Sequence, residues 1–419
     1  FHTMSFCIRA TLLTVFLALP LVGCVDGSTG GSESDNFDAD AFDFTAMFAN
    51  YADNIILPNY EAVTTLATDI GAESGPISTY CQSIGTANES AAVGAAKNAW
   101  DDLMLAIQQT EMHIIGPAAS NDNASQNRLN SFATGSLSLC GVDQSVVQSA
   151  ENAGFDIESK TVRQRGIGAL EYLLFNPDLA QNCPSQIVET ADWDSRPAEQ
   201  RQLLRCEYAI VVATDIANTA AGLRDAWSSD DGDYRSTFIN PANTVDSLEA
   251  LSDGLFYLDY GVADLKLAIP TGISDECLAL SCPQSVESPY SQYSLDSIKA
   301  NLQSFNILMT GGSGLGFDDL IDDAGVPALN QRFADNTAAA IALIDTASES
   351  LFEQATAIDS SAAEMECMND YLNANPSSPG RFSACTLLGA IKLIVDDLKV
   401  GFVAVIDVDL PDRAQSDND

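Results

Sequence analysis

The chain has 419 residues, of which 46% are hydrophobic, so it can bury more than one apolar core and two domains are expected. Its formal net charge is -41, because 59 acidic residues outnumber 18 basic ones. This charge disfavours binding to nucleic-acid phosphates or anionic membrane surfaces, so we expect no nucleic-acid partner, and it suits solubility in salt or attraction of cations.

The first predicted element is a targeting segment, residues 1–23. Arg9 precedes an apolar run from Ala10 to Val22 that is too short to span a bilayer comfortably. The run ends in Leu21-Val22-Gly23-Cys24, which resembles a bacterial lipobox, in which the signal is removed before Cys24 and this cysteine is acylated. The alternative is a plain secretory signal followed by an incidental cysteine.

A location and a tether follow from this interpretation. The lipid on Cys24 would attach the protein to a membrane, and Val25 after the cysteine favours outer-membrane retention in diderm bacteria. We therefore expect a lipoprotein of the cell envelope that faces the periplasm or the cell surface. Residues 24–40 are rich in Gly, Ser and Asp and cannot form a core, so they are predicted to be a flexible tether.

Eight further cysteines follow Cys7 and Cys24. An even number in an exported chain favours disulfides. We expect neighbours in sequence to pair, because Cys277/Cys282 and Cys367/Cys385 flank loop-like segments, although the sequence does not determine the connectivity. The eight are Cys81, Cys140, Cys183, Cys206, Cys277, Cys282, Cys367 and Cys385.

The rest of the chain is predicted to be all-α, as two packed helical bundles linked internally by disulfides. We expect an N-terminal bundle over 41–240, a C-terminal bundle over 241–410 and a polar tail over 411–419. Helices are predicted at about 44–69 with a bend or break at Pro58, and at about 89–115, 158–175, 197–227, 245–267, 294–309, 327–358, 360–374 and 383–405.

Two predicted helices carry carboxylates on apolar faces. In 89–115, Glu111 shares a face with Trp100 and Ile107. In 158–175, Glu171 lies among apolar residues rather than opposite them. Such a carboxylate costs free energy unless it meets a cation, a metal or hydrogen-bond donors. A paired structural glutamate explains the pattern as well as a functional one does.

The stretch from Gly166 to Phe175 resembles the signature of the imelysin-like family of bacterial envelope proteins. That signature is Gly-x-His-x-x-Glu followed by an aromatic residue and leucines; Gly166 and Glu171 match it, but Gly168 replaces the histidine. Further segments resemble the family in the correct order: Trp227 with 234–238, Lys266 with 270–272, 287–295 with 301–302, and 316–320.

The resemblance implies a site for metal binding or proton transfer. In the family, the signature His and Glu face a glutamate from an earlier helix, which corresponds here to Glu111. Glu171 and Tyr290 are the other candidate ligands, and oxygen ligands of this kind suit iron or another divalent or trivalent cation. His113 is the weaker candidate, because positions i and i+2 of a helix point about 200° apart, so it would face away from Glu111.

The resemblance also implies the function. Some imelysin-like proteins are described as peptidases and others as iron-regulated uptake components. A zinc peptidase needs three protein ligands and a general base, and the sequence has no His-Glu-x-x-His motif. We therefore expect a non-catalytic binding or accessory component in iron acquisition, with other iron-uptake proteins of the envelope as partners. A metal-dependent peptidase is the alternative, and a scaffold that binds a protein or a polysaccharide is the third hypothesis.

Overall fold

The computed structural model describes residues 42–228 and 232–406. The predicted signal peptide 1–23, the acylated Cys24, the tether 24–40 and the tail 411–419 lie outside these residues. The prediction of an all-α protein is confirmed, since the described residues contain helices and turns but no strand. None of these helices is both long and apolar enough to cross a bilayer.

The α-helices of the first half include the long helix α8, against which most of the others pack. In chain order they are α1 (Phe44–Asn50), α2 (Leu57–Gly71), α3 (Pro76–Ser83), α4 (Glu89–Thr110), α5 (Ser120–Leu129), α6 (Leu139–Glu151), α7 (Gly166–Phe175), α8 (Ala198–Trp227) and α9 (Tyr234–Phe238). Helix α2 packs against α8 and α4, while α7 packs between α8 and α4. The short α7 is thereby held on two sides.

The second half packs around α12 and α17. Its helices are α10 (Thr244–Leu255), α11 (Ile269–Thr271), α12 (Ser294–Thr310), α13 (Phe317–Asp323), α14 (Pro327–Thr346), α15 (Leu351–Ala357), α16 (Ser361–Leu372), α17 (Ser383–Asp397) and α18 (Val403–Ile406). Helix α14 packs against α17 and α12, and α12 also packs against α4 of the first half. A buried apolar core runs through both halves, and the division at 240/241 stays a prediction.

Three stretches have the wider turns of a π-helix: Tyr51–Ile56, Leu258–Ala268 and Leu398–Phe402. The first leads directly into α2, where Pro58 occupies the first turn, so the predicted interruption at Pro58 is instead a continuous helical path. The second follows shortly after α10, within the stretch predicted as one helix over about 245–267. Apolar periodicity alone did not distinguish this π-helical segment from an α-helix. Such segments are rare and often occur at functional sites.

Several predicted helix ends move because local backbone geometry overrides periodicity. The helix predicted from 158 begins only at Gly166, whose φ is +75° and which follows extended Arg165. The helix predicted to reach 115 ends at Thr110, so Glu111 lies at its C-terminal cap. The long helix predicted over 327–358 is two helices, and Ser350 caps the second by accepting a hydrogen bond from the N–H of Glu353 at 3.2 Å.

The prediction of disulfides is confirmed, but sequential pairing is wrong for the first four cysteines, because it would join Cys81 to Cys140 and Cys183 to Cys206. The bonds are Cys81–Cys206, Cys140–Cys183, Cys277–Cys282 and Cys367–Cys385. Helix α3 lies against α8, which brings Cys81 to a cysteine 125 residues away. Tertiary packing rather than loop length therefore sets this connectivity.

Candidate functional site

Glu111 is buried where α4 of the first half meets the second half. The residue as a whole is 4% exposed. One carboxylate oxygen, Oε1, accepts from Asn130 Nδ2 at 2.7 Å. The other, Oε2, accepts from Lys266 Nζ at 2.6 Å, Tyr257 Oη at 2.8 Å and Asn301 Nδ2 at 3.1 Å. Both oxygens are thus occupied by donors from the protein itself.

Lys266 is the cation of this site, and its side chain is 1% exposed. Four side-chain oxygens surround its ammonium: Glu111 Oε2 at 2.6 Å, Asn301 Oδ1 at 2.9 Å, Glu287 Oε2 at 3.2 Å, and Gln108 Oε1 in a short hydrogen bond. We call these five residues the buried lysine cluster. Such an oxygen shell is the kind that holds a hard metal cation, but here an ammonium group fills it.

Glu287 supplies the second carboxylate of the buried lysine cluster. Its Oε1 accepts from Gln108 Nε2 at 2.9 Å and from Asn130 Nδ2 at 2.8 Å. Asn130 therefore bridges the two glutamates, since it also donates to Glu111. Two buried carboxylates share one ammonium, so amide and hydroxyl donors must carry the rest of the stabilisation.

Burial raises the pKa of Glu111, the nearby Lys266 ammonium opposes that rise, and the charge of Glu287 adds to it. Burial also raises the pKa of Tyr257 well above its usual value, and the negative charge of Glu111 adds to this. Tyr257 is therefore a neutral hydroxyl that donates to Glu111. The backbone at Gly261 packs closely against the Tyr257 ring, since a Cβ added at Gly261 would lie 2.4 Å from that ring.

Glu171 is the carboxylate of the signature helix α7, and it is 2% exposed. Its Oε1 accepts from the backbone N–H of Tyr290 at 2.9 Å, from the N–H of Ser291 at 2.8 Å and from Ser291 Oγ at 2.9 Å. Burial raises its pKa to about 7, although these donors favour the charged form and Glu287 disfavours it. Glu171 thus fastens α7 to the loop that also carries Glu287.

Gly166 and Gly168 act differently at the start of α7. Gly166 has positive φ, and a Cβ there would lie 2.7 Å from the carbonyl oxygen of Arg128, so only glycine fits. At Gly168 the nearest atom to an added Cβ is Leu137 Cδ1 at 4.0 Å. The position that holds a histidine in the family pattern can therefore accept a Cβ without a steric clash.

The other two candidates do not join the carboxylates through their side chains. Tyr290 reaches Glu171 with its backbone N–H, while its ring stacks edge-on against Tyr172 at 5.5 Å. His113 is fully buried edge-on against Tyr60, neither ring nitrogen has a hydrogen-bond partner, and burial lowers its pKa to about 3. It is a neutral packed imidazole, and because the helix ends at Thr110 the argument from helical angles does not apply to it.

The donor set does not fit a resident metal at Glu111. Its neighbours are an ammonium, a phenol and amide N–H groups, which donate to the carboxylate rather than leave it free to bind a cation. Glu171 is likewise satisfied on Oε1 by three donors. Across residues 42–228 and 232–406, no group of three His, Cys, Asp or Glu side chains is placed to hold a metal ion.

The comparisons with known proteins concern the family and the fold. A family model described as Imelysin, Peptidase M75, matches residues 56–374. The chain belongs to the imelysin family. A search of curated proteins found no match.

Two solved structures share the imelysin fold with this chain. An imelysin-like protein from Psychrobacter arcticum 273-4 is 14% identical with a TM-score of 0.58, and the match covers 88% of this chain and 96% of that one. A protein proposed to be an iron-regulated protein A precursor, from Parabacteroides distasonis ATCC 8503, is 15% identical with a TM-score of 0.53, covering 85% and 95%. At these identities the likeness concerns the fold alone.

Sequence reasoning missed most of the side chains that surround Glu111. Lys266, Glu287 and Asn301 lie in segments that indicated membership of the family, but their chemistry was not assigned. Gln108 could have been found, since it precedes Glu111 by three residues and so shares its helix face. Asn130 and Tyr257 carry no sequence signal, because only the tertiary fold brings them to Glu111.

Proposed function

We propose that this imelysin-family protein is a non-catalytic binding component of the bacterial cell envelope that serves iron acquisition. The observation that carries the proposal is the buried lysine cluster, in which Lys266 already neutralises Glu111 and Glu287. A hydrolase needs a carboxylate free to act as base or to ligate a metal. Because these carboxylates are already paired with an ammonium and with amide donors, a binding function is favoured over a catalytic one.

The role in iron acquisition is supported by family membership and by the neighbour proposed to be an iron-regulated protein A precursor. The envelope location is supported by the lipobox-like sequence that ends at Cys24. Acylation of Cys24 would hold the protein at the outer membrane, where iron-uptake partners operate. The acidic chain, with its net charge of -41, would remain repelled from anionic lipid surfaces and attached through the lipid alone.

Deletion of the gene in its own bacterium tests the role. We expect the deletion strain to grow more slowly than the parent when iron is limiting but equally well when iron is replete, and the wild-type gene to restore growth. Complementation with Cys24→Ser tests the anchor, since this variant cannot be acylated and should leave the membrane fraction. Equal growth of parent and deletion strain in iron-limited medium would contradict the proposal.

The competing function, a metallopeptidase, has a separate test. The purified protein is incubated with a mixture of peptides and added zinc or iron, and the products are read by mass spectrometry. We expect no cleavage above a metal-only control. Metal-dependent cleavage that disappears in Glu171→Gln would establish the enzyme and refute a non-catalytic role.

A further inference from the structure

A pocket of about 430 Å³ opens beside Glu111, between α5 and the start of the π-helical segment Leu258–Ala268. We propose that this pocket binds a neutral ligand rich in hydroxyl groups, of the size of a small sugar. Its volume lies in the range of about 300–1,000 Å³ that is typical of small-molecule sites. The inference does not depend on the role in iron acquisition.

The side chains that line the pocket have the chemistry that a polyol requires. Four primary amides line it, from Asn123, Gln126, Asn127 and Asn130. A primary amide carries both hydrogen-bond donors and an acceptor, which matches a hydroxyl that donates and accepts. Asn130 Nδ2 already donates to Glu111 and Glu287, and Asn127 Nδ2 donates to the carbonyl oxygen of Asp122. The side-chain oxygens of Gln126 and Asn127 are therefore the acceptors that we assign to the ligand. Tyr257 and Tyr260 add aromatic surface, and aromatic rings can pack against the C–H face of a sugar ring.

One of these amides has an unused acceptor. Gln126 is 5% exposed, and its Nε2 donates to Thr110 Oγ1 at 3.3 Å. Its Oε1 is buried and has no hydrogen-bond partner within the protein. A buried acceptor of this kind costs free energy until a donor reaches it. Gln126 lines the pocket, so rotation of its amide toward the pocket would let a ligand hydroxyl supply that donor.

The rim of the pocket is strained. Asn121, Asp122 and Asn123 adopt φ of 52°, 56° and 60°, which is the left-handed region that residues with a Cβ rarely enter. Three consecutive residues in this conformation cost conformational free energy, and such strain concentrates at ligand-binding sites. Asp122 and Asn123 also line the pocket, so the strained turn forms part of its wall.

Charge narrows the class of ligand. Neither lysine nor arginine is among the residues that line the pocket, so an anionic ligand would have no cation to meet. The Glu111 carboxylate at its base is already paired with Lys266. Asp122 is the remaining acid of the lining and is exposed at the rim, where solvent screens it. A neutral ligand therefore fits better than an amine.

Calorimetric titration of the purified protein with glucose, maltose and N-acetylglucosamine tests the proposal. We expect saturable binding of at least one sugar, weakened about tenfold or more by Asn127→Ala and by Tyr260→Ala. Asn306→Ala is the matched control, because it removes an exposed amide that does not line this pocket and should leave the affinity unchanged. Near-ultraviolet circular dichroism checks that each variant is folded.

Three outcomes would overturn the proposal. One is the absence of saturable binding to all three sugars at millimolar concentration. Another is binding that persists unchanged in both pocket variants, since the sugar would then lie elsewhere. The third is selective, salt-sensitive binding of spermidine that is lost in Asp122→Asn, which would make the pocket a site for amines.

Discussion

Replacing Lys266 by methionine should strongly destabilise the protein, because it removes the one cation that Glu111 and Glu287 share. Methionine keeps most of the apolar volume of lysine, so the change tests the charge rather than the packing. The ammonium donates to Glu111 at 2.6 Å and to Asn301 at 2.9 Å, and it lies 3.2 Å from Glu287. All of these contacts are lost together.

The expected cost follows from burial. The side chains of Lys266, Glu111 and Glu287 are 1%, 6% and 3% exposed, so solvent cannot replace the lost partner. Breaking a buried ion pair by removing one partner costs about 3–5 kcal/mol of unfolding free energy. The raised pKa of Glu111 should rise further in the variant, so its deficit should shrink as the pH falls and protonation removes the unpaired charge.

Urea unfolding followed by tryptophan fluorescence measures this cost, because all three tryptophans are buried. We expect Lys266→Met to lose about 3–5 kcal/mol near pH 7.5 and less near pH 5. In the double variant, Glu111→Gln should restore part of the stability lost in Lys266→Met, which corresponds to a coupling free energy of about 1–3 kcal/mol between the two positions. The proposal that Lys266 is a shared cation would be refuted if the losses of unfolding free energy in the two single variants simply add in the double variant. A cost of Lys266→Met below about 1 kcal/mol would refute it as well.

Three further predictions concern single side chains. The pKa of Glu171 is raised from 4.5 to about 7, so the folded protein holds this proton more tightly than the unfolded chain. The stability that comes from this proton is present below about pH 4.5 and is lost as the pH rises to about 7. Relative to Glu171→Gln, the unfolding free energy of the wild type should therefore fall by about 3 kcal/mol across that range in urea titrations, and a constant difference would be contrary evidence. Tyr257→Phe removes the 2.8 Å hydrogen bond to Glu111 and should cost about 1.5–3 kcal/mol in the same assay, whereas Tyr260→Phe, whose hydroxyl lies 3.5 Å from its acceptor, should cost little. Gly168→His should fold normally, because the nearest atom to an added Cβ, Leu137 Cδ1, lies at an ordinary contact distance of 4.0 Å. The variant should bind zinc about tenfold more tightly than the wild type by calorimetry, and equal affinity would show that the space does not lead to Glu171.

The fold was more predictable than its details. Apolar periodicity and few strand signals predicted an all-α protein, because helix periodicity is a local property that the sequence carries directly. Helix ends were less predictable: α7 begins at Gly166 because of a positive φ and a carbonyl contact with another helix. The pairing of Cys81 with Cys206 depends on the packing of α3 against α8, which no spacing rule contains.

At the site, the sequence indicated two of the buried carboxylates, Glu111 and Glu171, but not Glu287 and not what surrounds them. Glu111 and Glu171 were found because each lies on an apolar helix face, and both are at most 4% exposed. Apart from Asn130, their partners come from Tyr257, Lys266, Asn301 and the loop before α12, all more than a hundred residues away in sequence. A local pattern can predict that a buried charge needs a partner, but the partner is chosen by the tertiary fold.

The replacement of the signature histidine by Gly168 has a limited structural consequence, and this favours a binding role. Glu171 does not depend on a side chain at position 168, since its Oε1 is held by Tyr290 and Ser291. That loop also carries Glu287, which reaches Lys266 and, through Asn130, Glu111. The signature glutamate, the loop and the buried lysine cluster therefore form one connected polar structure that is complete without an imidazole. A function that used these carboxylates to bring the two halves together around a ligand would survive the loss of the histidine, whereas one that used histidine as a base or a metal ligand would not.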